Sequence, residues 1–387
     1  LDAYSPQRIR DQFFESVELH LRSDVPVGSC LSGGIDSSSI VCAMREVNPN
    51  TEIHTFSYIA RDSSLSEERW VDAVNKRTGA VAHKINASNH DLIADLNPLI
   101  QAQGEPFGST SIYAQYKVFE AAKNQGINVM LDGQGADELF AGYPSFRGAL
   151  IASHIKRGKL MDAFKLLVAG SGHHGQDRFV LIKVALHFLI SSGLYSKARH
   201  IAGRGNRFPW IDLDVLNTRG VDTVISKPQQ YNREILKEAL RYSLEKSSVP
   251  QLLRYEDRNS MFHSVESRVP FLTPAMVETA YSIPDDDLVN PQDGSKALFK
   301  KAMKGFVPDA VLDRKDKIGF QTPEHEWMRS VSDWVHEVLE GAENYSWLKA
   351  DILRAEWDDI LEKKATYNSK VWRWVNYLQW ARIFEVR

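Results

Sequence analysis

This sequence has few cysteines, a small net charge and no long apolar run. Cys30 and Cys42 are its two cysteines, too few for a disulfide framework, and no CxxC pair or Cys/His cluster is present to bind zinc. The most apolar window, residues 179–194, contains Lys183 and is shorter than the ~20 apolar residues that span a membrane. The sequence therefore predicts a reducing, cytoplasmic setting and no membrane partner.

Net charge is low because 47 basic residues nearly balance 50 acidic ones, which leaves −3. Such a chain has no global field that would attract nucleic acid, so we expect no nucleic-acid partner. What is present is the composition of an ordinary folded protein, with 43% hydrophobic and 25% charged residues over 387 positions. That length exceeds one typical domain, so we expect two.

In the first 150 residues, segments with the hydrophobic period of a helix alternate with segments that have the pattern of a strand. Helix-like amphipathic segments separate short apolar or β-branched runs, and this alternation favours a doubly wound parallel sheet with helices on both faces. Past Arg147 the alternation ends and helical patterns dominate. We therefore expect an α/β core over 1–150 and a mostly helical lobe over 151–387. The predicted strands lie at 25–31, 53–59, 80–87 and 128–133.

The first predicted strand leads into the glycine-rich stretch CLSGGIDSSSI, which begins at Cys30. Gly33 and Gly34 permit positive φ and let an anion approach the backbone N–H groups closely. The helix that follows places the positive end of its dipole at the same site. Hydroxyls are donors, and a carboxylate can hold a divalent cation against phosphate oxygens. The stretch predicts a pyrophosphate site, with a serine-capped turn as the alternative. Its polar residues are Ser32, Asp36, Ser37 and Ser38.

Neither nucleotide signature, GxxxxGK[ST] or GxGxxG, occurs at this strand-to-helix turn, which argues against an ordinary P-loop or dinucleotide site there. Instead, SGGIDS resembles the PP-loop of the N-type ATP pyrophosphatases, which cleave ATP between the α- and β-phosphates. Four further stretches are similar, in the same order, to blocks of the asparagine synthetase family, so the resemblance covers nearly the whole chain. They are LDGQGADELFAGY from Leu131, LLRYEDRNSMFHSVESRVPFL from Leu252, SKALFKKAM from Ser295 and RKDKIGFQTP from Arg314.

The resemblance implies a fold like that of the adenine nucleotide α-hydrolases, and it implies a reaction. In the family, a carboxylate attacks the α-phosphate of ATP to give an acyl adenylate and pyrophosphate, and a nitrogen nucleophile then displaces AMP to leave an amide. By their positions in the blocks, Asp36 and Asp137 would hold Mg²⁺ and Lys296 would contact the α-phosphate. We therefore expect ATP and Mg²⁺ as cofactors and amidation of aspartate to asparagine.

The same blocks imply roles for further residues. Gln134 and Glu138 join Lys296 in the expected catalytic set, and Glu266 and Arg268 are expected in the substrate pocket. The residues expected to bind ATP are Leu31, Ser32, Gly33, Gly34, Asp36, Ser37, Ser38, Ser57 and Gly133.

Two positions depart from the family pattern and keep the substrate open. Gln134 stands where the glycine loop of typical asparagine synthetases has a glutamate, and glutamine cannot act as a general base. Thr273 replaces the aspartate of PFLD, near Arg268. One alternative is an amide-forming ligase of another acid, similar to β-lactam synthetases and lasso-peptide cyclases. Another is a catalytically silent ATP-binding partner.

Family members that use glutamine carry an N-terminal glutaminase domain with a first-residue cysteine, and no part of this sequence resembles that domain. The sequence starts at Leu1, so we expect a piece of a longer protein or a lobe that receives its nitrogen from elsewhere. The expected partners are a small carboxylic acid, ammonia or an amine, and a glutaminase located upstream or in trans.

Overall fold

The computed structural model describes residues 4–60, 65–170, 178–190, 208–221, 231–314 and 320–386. Its strands are β1 (Val27–Cys30), β2 (His54–Tyr58), β3 (Val81–Ile85), β4 (Val129–Leu131), β5 (Glu266–Arg268), β6 (Val289–Asn290) and β7 (Gly294–Ser295). Its α-helices are α1 (Pro6–His20), α2 (Ile35–Val47), α3 (Glu68–Thr78), α4 (Asn89–Gln103), α5 (Ser111–Asn124), α6 (Ala136–Leu139), α7 (Pro144–Lys156), α8 (Leu160–Gly170), α9 (Arg178–Leu189), α10 (Leu213–Thr218), α11 (Ile235–Glu245), α12 (Ser248–Phe262), α13 (Pro274–Ser282), α14 (Asp285–Leu288), α15 (Ala297–Met303), α16 (Asp309–Leu312), α17 (Glu324–Ser330), α18 (Ser332–Glu340), α19 (Ala350–Leu361) and α20 (Lys370–Ile383). Short 3₁₀ turns cover Pro270–Leu272 and Gly341–Asn344.

Five strands form one parallel sheet in the order β3-β2-β1-β4-β5. The chain proceeds outward from β1 through β2 to β3, and it then returns to the other side of β1 with β4. The segments that follow β1 and β4 therefore flank the switch point, where ligands bind in doubly wound sheets. The predicted α/β parallel sheet is confirmed, and all four predicted strands form within their predicted limits.

The fifth strand lies outside the predicted set. β5 has the sequence Glu-Ser-Arg, which has no apolar alternation, and it comes from the part of the chain expected to be mostly helical. Its backbone pairs in register with β4, with Val129 opposite Glu266 and Leu131 opposite Arg268. The ladder continues on through Asp132, whose N–H donates to the Arg268 carbonyl over 2.9 Å. β5 is therefore a strand because its backbone pairs with β4, and not because of its side-chain pattern.

The chain forms two compact units, each built from three segments. Unit 1 consists of Leu1–Ile85, Lys117–Ile190 and Gln230–Phe320, and it contains the parallel sheet. Unit 2 consists of Asn86–Tyr116, Ser191–Gln229 and Gln321–Arg387. Both units draw on residues from each side of position 150, so they divide the chain differently from the predicted domain boundary, which stays a prediction.

Unit 2 is held together by tryptophans of the C-terminal segment. The side chains of Trp357 and Trp372 are fully buried. The buried Asn376 accepts a hydrogen bond of 2.7 Å from the backbone N–H of Phe107, and Trp380 Nε1 donates to the Gly104 carbonyl over 3.0 Å. Asn376 and Trp380 of α20 therefore join this helix to the end of α4 and the residues that follow it, which gives them a structural role.

The sequence predicted neither a disulfide framework nor a membrane-spanning segment. Cys30 and Cys42 are both free thiols. No helix in the described ranges is both long and apolar enough to cross a membrane.

Candidate active site

Four phenylalanines fix the position of α15 relative to the sheet. Phe13 of α1 stacks on Phe271 with ring centroids 4.7 Å apart, and Phe140, which follows α6, stacks on Phe299 of α15 at the same separation. The rings of Phe13 and Phe299 meet edge to face at 5.4 Å. All four are buried, so about 1.5–3 kcal/mol of hydrophobic free energy per ring holds these elements together. The first residue before α15, Lys296, is thereby placed at the loop that follows β4.

Lys296 bridges two aspartates from different strand-end segments. Its Nζ lies 2.6 Å from Asp137 Oδ1 and also donates to Asp36 Oδ1. Only 3% of the lysine side chain is exposed. Burial lowers the pKa of Lys296, but the charges of Asp137 and Asp36 and their hydrogen bonds outweigh burial, so the pKa is raised. The ammonium therefore stays charged, and this Asp–Lys cluster (Asp36, Asp137, Lys296) carries a formal charge of −1.

The backbone at Lys296 and the packing of Gly142 both serve this cluster. Lys296 caps α15 with a φ of 56°, a left-handed conformation that residues with a side chain rarely adopt. Gly142 packs directly on the ion pair: a Cβ added there would lie 1.8 Å from Asp137 Oδ1 and 2.3 Å from Lys296 Cε. The φ of Gly142 is not in the left-handed region, so space and not conformation requires glycine at this position.

The glycine loop after β1 is ordered by its own hydroxyls. Ser37 Oγ accepts from the Ser32 N–H over 3.1 Å, and Ser32 Oγ accepts from the Gly34 N–H over 3.4 Å. Gly33 has a φ of +73°, and an added Cβ would lie 2.7 Å from Trp70 Cβ. Gly34 caps α2 without a side-chain hydrogen bond. The first N–H groups of α2 therefore have no intrahelical acceptor and suit an anion.

Arg314 anchors this loop, a role that the sequence did not reveal. Its guanidinium donates to the Gly33 carbonyl over 3.2 Å, pairs with Glu67 Oε1 at 2.5 Å and lies over the Trp70 ring. The side chain is 5% exposed. The sole signal was its place at the start of the block RKDKIGFQTP, of which residues 315–319 lie outside the described residues.

The other residues expected to bind ATP also lie in or beside the two strand-end segments. Gly133 is close to the glycine loop, since a Cβ added to it would lie 3.2 Å from Asp36 Cβ. The Leu31 N–H extends the ladder by donating to a carbonyl of β2 over 2.9 Å. Ser38 Oγ and Ser57 Oγ are buried and have no hydrogen-bond partner among the described residues.

Glu138, expected in the catalytic set, is almost completely buried. Ser248 Oγ, in the first turn of α12, donates to Glu138 Oε1, and the Tyr143 hydroxyl also hydrogen-bonds this carboxyl group. Burial raises the pKa of Glu138; the charge of Asp137 adds to this increase and the hydrogen bond from Ser248 opposes it. The hydrogen bond from Ser248 ties α6 to α12.

Gln134 belongs to the same loop, and its Nε2 lies 3.5 Å from Asp132 Oδ2. Glu266 and Arg268 lie on β5 and pair with each other at 2.7 Å. Arg268 also donates to the carbonyls of His20 and Arg22 over 2.7 and 2.8 Å. Arg268 thus joins β5 to the end of α1, and the substrate-pocket role of both residues stays a prediction.

Thr273, the second departure from the family pattern, is the N-cap of α13. Its Oγ1 accepts from the Met276 N–H over 3.4 Å and lies 3.5 Å from Ser16 Oγ. Aspartate and threonine are both favourable N-caps, so the replacement preserves this structural role.

Known proteins resemble this chain along most of its length. Residues 8–382 match the asparagine synthase family. The chain is 29% identical to the glutamine-hydrolyzing asparagine synthetase 1 of Bacillus subtilis (strain 168), over 97% of this chain and 59% of that protein. It is 26% identical to the glutamine-hydrolyzing asparagine synthetase 3 of the same organism, over 94% and 56%. It is also 26% identical to amidase chry2 of Gibberella zeae, over 82% and 52%. The chain spans little more than half the length of these relatives. It belongs to the asparagine synthase family.

Proposed function

We propose that this chain forms an amide by ATP-dependent adenylation of a carboxylic acid, with release of AMP and pyrophosphate. The observation that carries the proposal is the Asp–Lys cluster, which joins the segments after β1 and β4 beside an anion-binding loop. Aspartate is the proposed acid because two relatives are named asparagine synthetases. Ammonia or an amine would be the nucleophile, delivered from a glutaminase upstream or in trans, in a cytoplasmic setting.

The residues of the cluster fit ATP and Mg²⁺. Mg²⁺ at nucleotide sites takes one or two carboxylates and completes its shell with phosphate oxygens and water, so Asp36 and Asp137 would suffice. No group of three or more His, Cys, Asp or Glu side chains that could hold a metal ion occurs within the described part of the chain. The bound ion would neutralise charge on the departing pyrophosphate.

The remaining groups would bind and orient the nucleotide. The N–H groups at the start of α2 and the hydroxyls of Ser32 and Ser37 would donate to pyrophosphate oxygens. Lys296 would stabilise the charge that develops on the α-phosphate during attack, because its ammonium is held in place before the reaction. Ser57, whose hydroxyl lacks a partner in the described structure, is available to the adenine.

Gln134 favours a second candidate, an amide-forming ligase of an acid other than aspartate. Its side chain is directed toward Asp132, and a glutamine cannot accept the proton of an incoming amine. An amine within the substrate itself would attack at a high effective concentration, which would offset the lack of a base at this position, and its proton would then pass to solvent.

ATP–pyrophosphate exchange with a panel of carboxylic acids tests the proposal. We expect exchange that depends on aspartate or on one other acid, and a loss of about 10²–10³-fold in Lys296→Ala. Asp36→Asn should also lose exchange, because a neutral amide is a weaker Mg²⁺ ligand. Asp351→Asn, which removes an almost fully exposed carboxylate, is the matched control. ATP binding without exchange on any acid would instead identify a silent ATP-binding partner.

A further inference from the structure

Unit 2 contains a cavity of about 570 Å³ that is lined by none of the residues of the candidate active site. Voids left by imperfect packing rarely exceed the size of a water molecule, whereas small-molecule sites commonly measure about 300–1,000 Å³. The lining is aromatic and aliphatic apart from two basic side chains, Lys370 and Arg373, and no acidic residue of the described chain belongs to it. The cavity therefore has the size and the lining of a ligand site.

One face of α20 forms a wall of this unit 2 cavity. Lys370, Arg373, Trp374, Tyr377 and Leu378 recur at the spacing of a single stripe along a helix, and all of them line the cavity. Trp374 and Leu378 are almost fully buried, whereas Arg373 is exposed and Lys370 is partly exposed. The cavity therefore reaches solvent near the start of α20.

A second wall is held in place by the chain itself. The Asp212 N–H donates to the Trp347 carbonyl over 2.8 Å, and the Lys349 N–H donates to the Trp210 carbonyl over 2.9 Å. The buried ring of Trp210 meets Trp374 edge to face, with ring centroids 5.2 Å apart. Because these contacts form without a ligand, binding would need little rearrangement of the walls.

Arg373 carries the uncompensated charge of the cavity. Lys370 Nζ donates to Glu356 Oε1 over 2.6 Å and lies 4.9 Å from the centroid of the Trp210 ring, so its charge is already balanced. The Arg373 side chain forms neither a hydrogen bond nor an ion pair with any residue of the described structure. A guanidinium presents two parallel N–H groups that match the two oxygens of a carboxylate. The lining therefore favours an acidic group beside Arg373.

Tyr377 supplies a second donor. Its hydroxyl accepts a hydrogen bond of 3.0 Å from Trp347 Nε1, so its own proton is left for another acceptor. Burial raises the pKa of Tyr377 and the hydrogen bond from Trp347 opposes this increase, so the phenol stays protonated at neutral pH. The polar side chains of the lining therefore offer donors to a ligand, and an acceptor is what they lack.

We propose that this cavity binds a small organic anion with a planar aromatic body. The rings of Trp210 and Trp374 would pack against that body, while Arg373 would pair with its acidic group and Tyr377 would donate to the same group. An anion is favoured over a cation of the same shape because both charged groups of the lining are basic. Binding makes and breaks no covalent bond, and it does not depend on the function proposed for the Asp–Lys cluster.

Isothermal titration calorimetry of the full chain with two matched probes tests the charge selection. Naphthoate is an aromatic anion, and naphthamide has the same rings and nearly the same shape without the charge. We expect naphthoate to bind at one site about tenfold more tightly than naphthamide, the usual effect of one hydrogen bond to a charged group. Arg373→Met should remove this preference by weakening the binding of naphthoate alone. Arg382→Met removes another exposed arginine of α20, one outside the lining, and should leave both affinities unchanged.

A second variant locates the binding. Leu216 of α10 lines the cavity and is partly buried, so Leu216→Trp should fill space there and abolish binding of both probes, with its urea midpoint as the test of folding. If it does not fold, Arg373→Glu, at an exposed position, should still weaken naphthoate at least about tenfold and spare naphthamide.

Three results would overturn the proposal: no binding of either probe, equal affinities for the two probes, or naphthoate binding that both Arg373 variants leave unchanged. Sedimentation velocity adds a fourth. A dimer of the wild type that dissociates in Leu216→Trp would identify a second copy of the chain, and not a small anion, as the occupant of the cavity.

Discussion

Replacement of Gly142 by alanine perturbs the Asp–Lys cluster without altering a charged group. The new Cβ would lie 1.8 Å from Asp137 Oδ1, whereas real Cβ contacts essentially never fall below 3.0 Å. The carboxylate must therefore retreat by about 1 Å, which is enough to break its 2.6 Å contact with Lys296. Overpacking costs about 1–3 kcal/mol, and loss of a buried charge partner costs about 3–5 kcal/mol. Alanine restricts the unfolded chain and returns about 0.4–1 kcal/mol.

Because both aspartates keep some exposure, we expect the lower end of this range, a net loss of about 3–4 kcal/mol in the free energy of unfolding. Urea denaturation of Gly142→Ala measures the loss, and Gly341→Ala is the matched control, since nothing lies within 4 Å of a Cβ at that position. ATP–pyrophosphate exchange should fall together with stability. Equal denaturation midpoints for the two variants would refute the close packing of Gly142 on the cluster.

Two further predictions concern residues near the site. The raised pKa of Lys296 means that its ion pairs stabilise the fold fully below its ordinary pKa of about 10.5 and that this contribution is lost as pH rises through the higher folded value. Thermal unfolding between pH 9 and about 12 should therefore show a steeper loss of stability in the wild type than in Lys296→Met, and parallel curves would contradict the pairing. At the α13 N-cap, Thr273→Asp should leave the denaturation midpoint nearly unchanged, whereas Thr273→Ala should cost about 1 kcal/mol; equal midpoints would exclude the cap.

The sequence predicted the parts of the fold that have a periodic signal. The strands and helices of the first 130 residues carry apolar alternation or helical spacing, and the helix expected after the glycine-rich stretch is observed as α2 (Ile35–Val47). β5 could not be predicted in this way, because Glu266 and Arg268 resemble a loop until β4 supplies the hydrogen-bond ladder. The local sequence pattern therefore predicted strands β1 to β4, whereas β5, at one edge of the sheet, depends on long-range pairing with β4.

The same distinction between local pattern and long-range contact applies to the candidate site. The glycine loop and Asp36 were found because their residues are adjacent in sequence, and the block resemblance added Asp137 and Lys296. Neither approach indicated that Lys296 would take a left-handed backbone conformation and bridge both aspartates. Glu256 resembles a surface glutamate of a polar helix, and only the three-dimensional packing of Ser267 against it reveals a buried carboxyl group.

The bridge between Asp36 and Lys296 joins residues 260 positions apart, and this separation has a consequence for synthesis on the ribosome. At ordinary elongation rates, roughly 10–50 s pass between the appearance of the aspartate and that of the lysine. Strands β1 to β4 can pair during that interval, with Asp36 and Asp137 side by side and no ammonium between them. Their mutual repulsion would then oppose closure of the switch point in the nascent chain. In a ribosome-bound intermediate that ends before Lys296, the segments after β1 and β4 would therefore stay apart. The loop after β4 would be sensitive to protease until Lys296 is synthesised and can pair with the two aspartates.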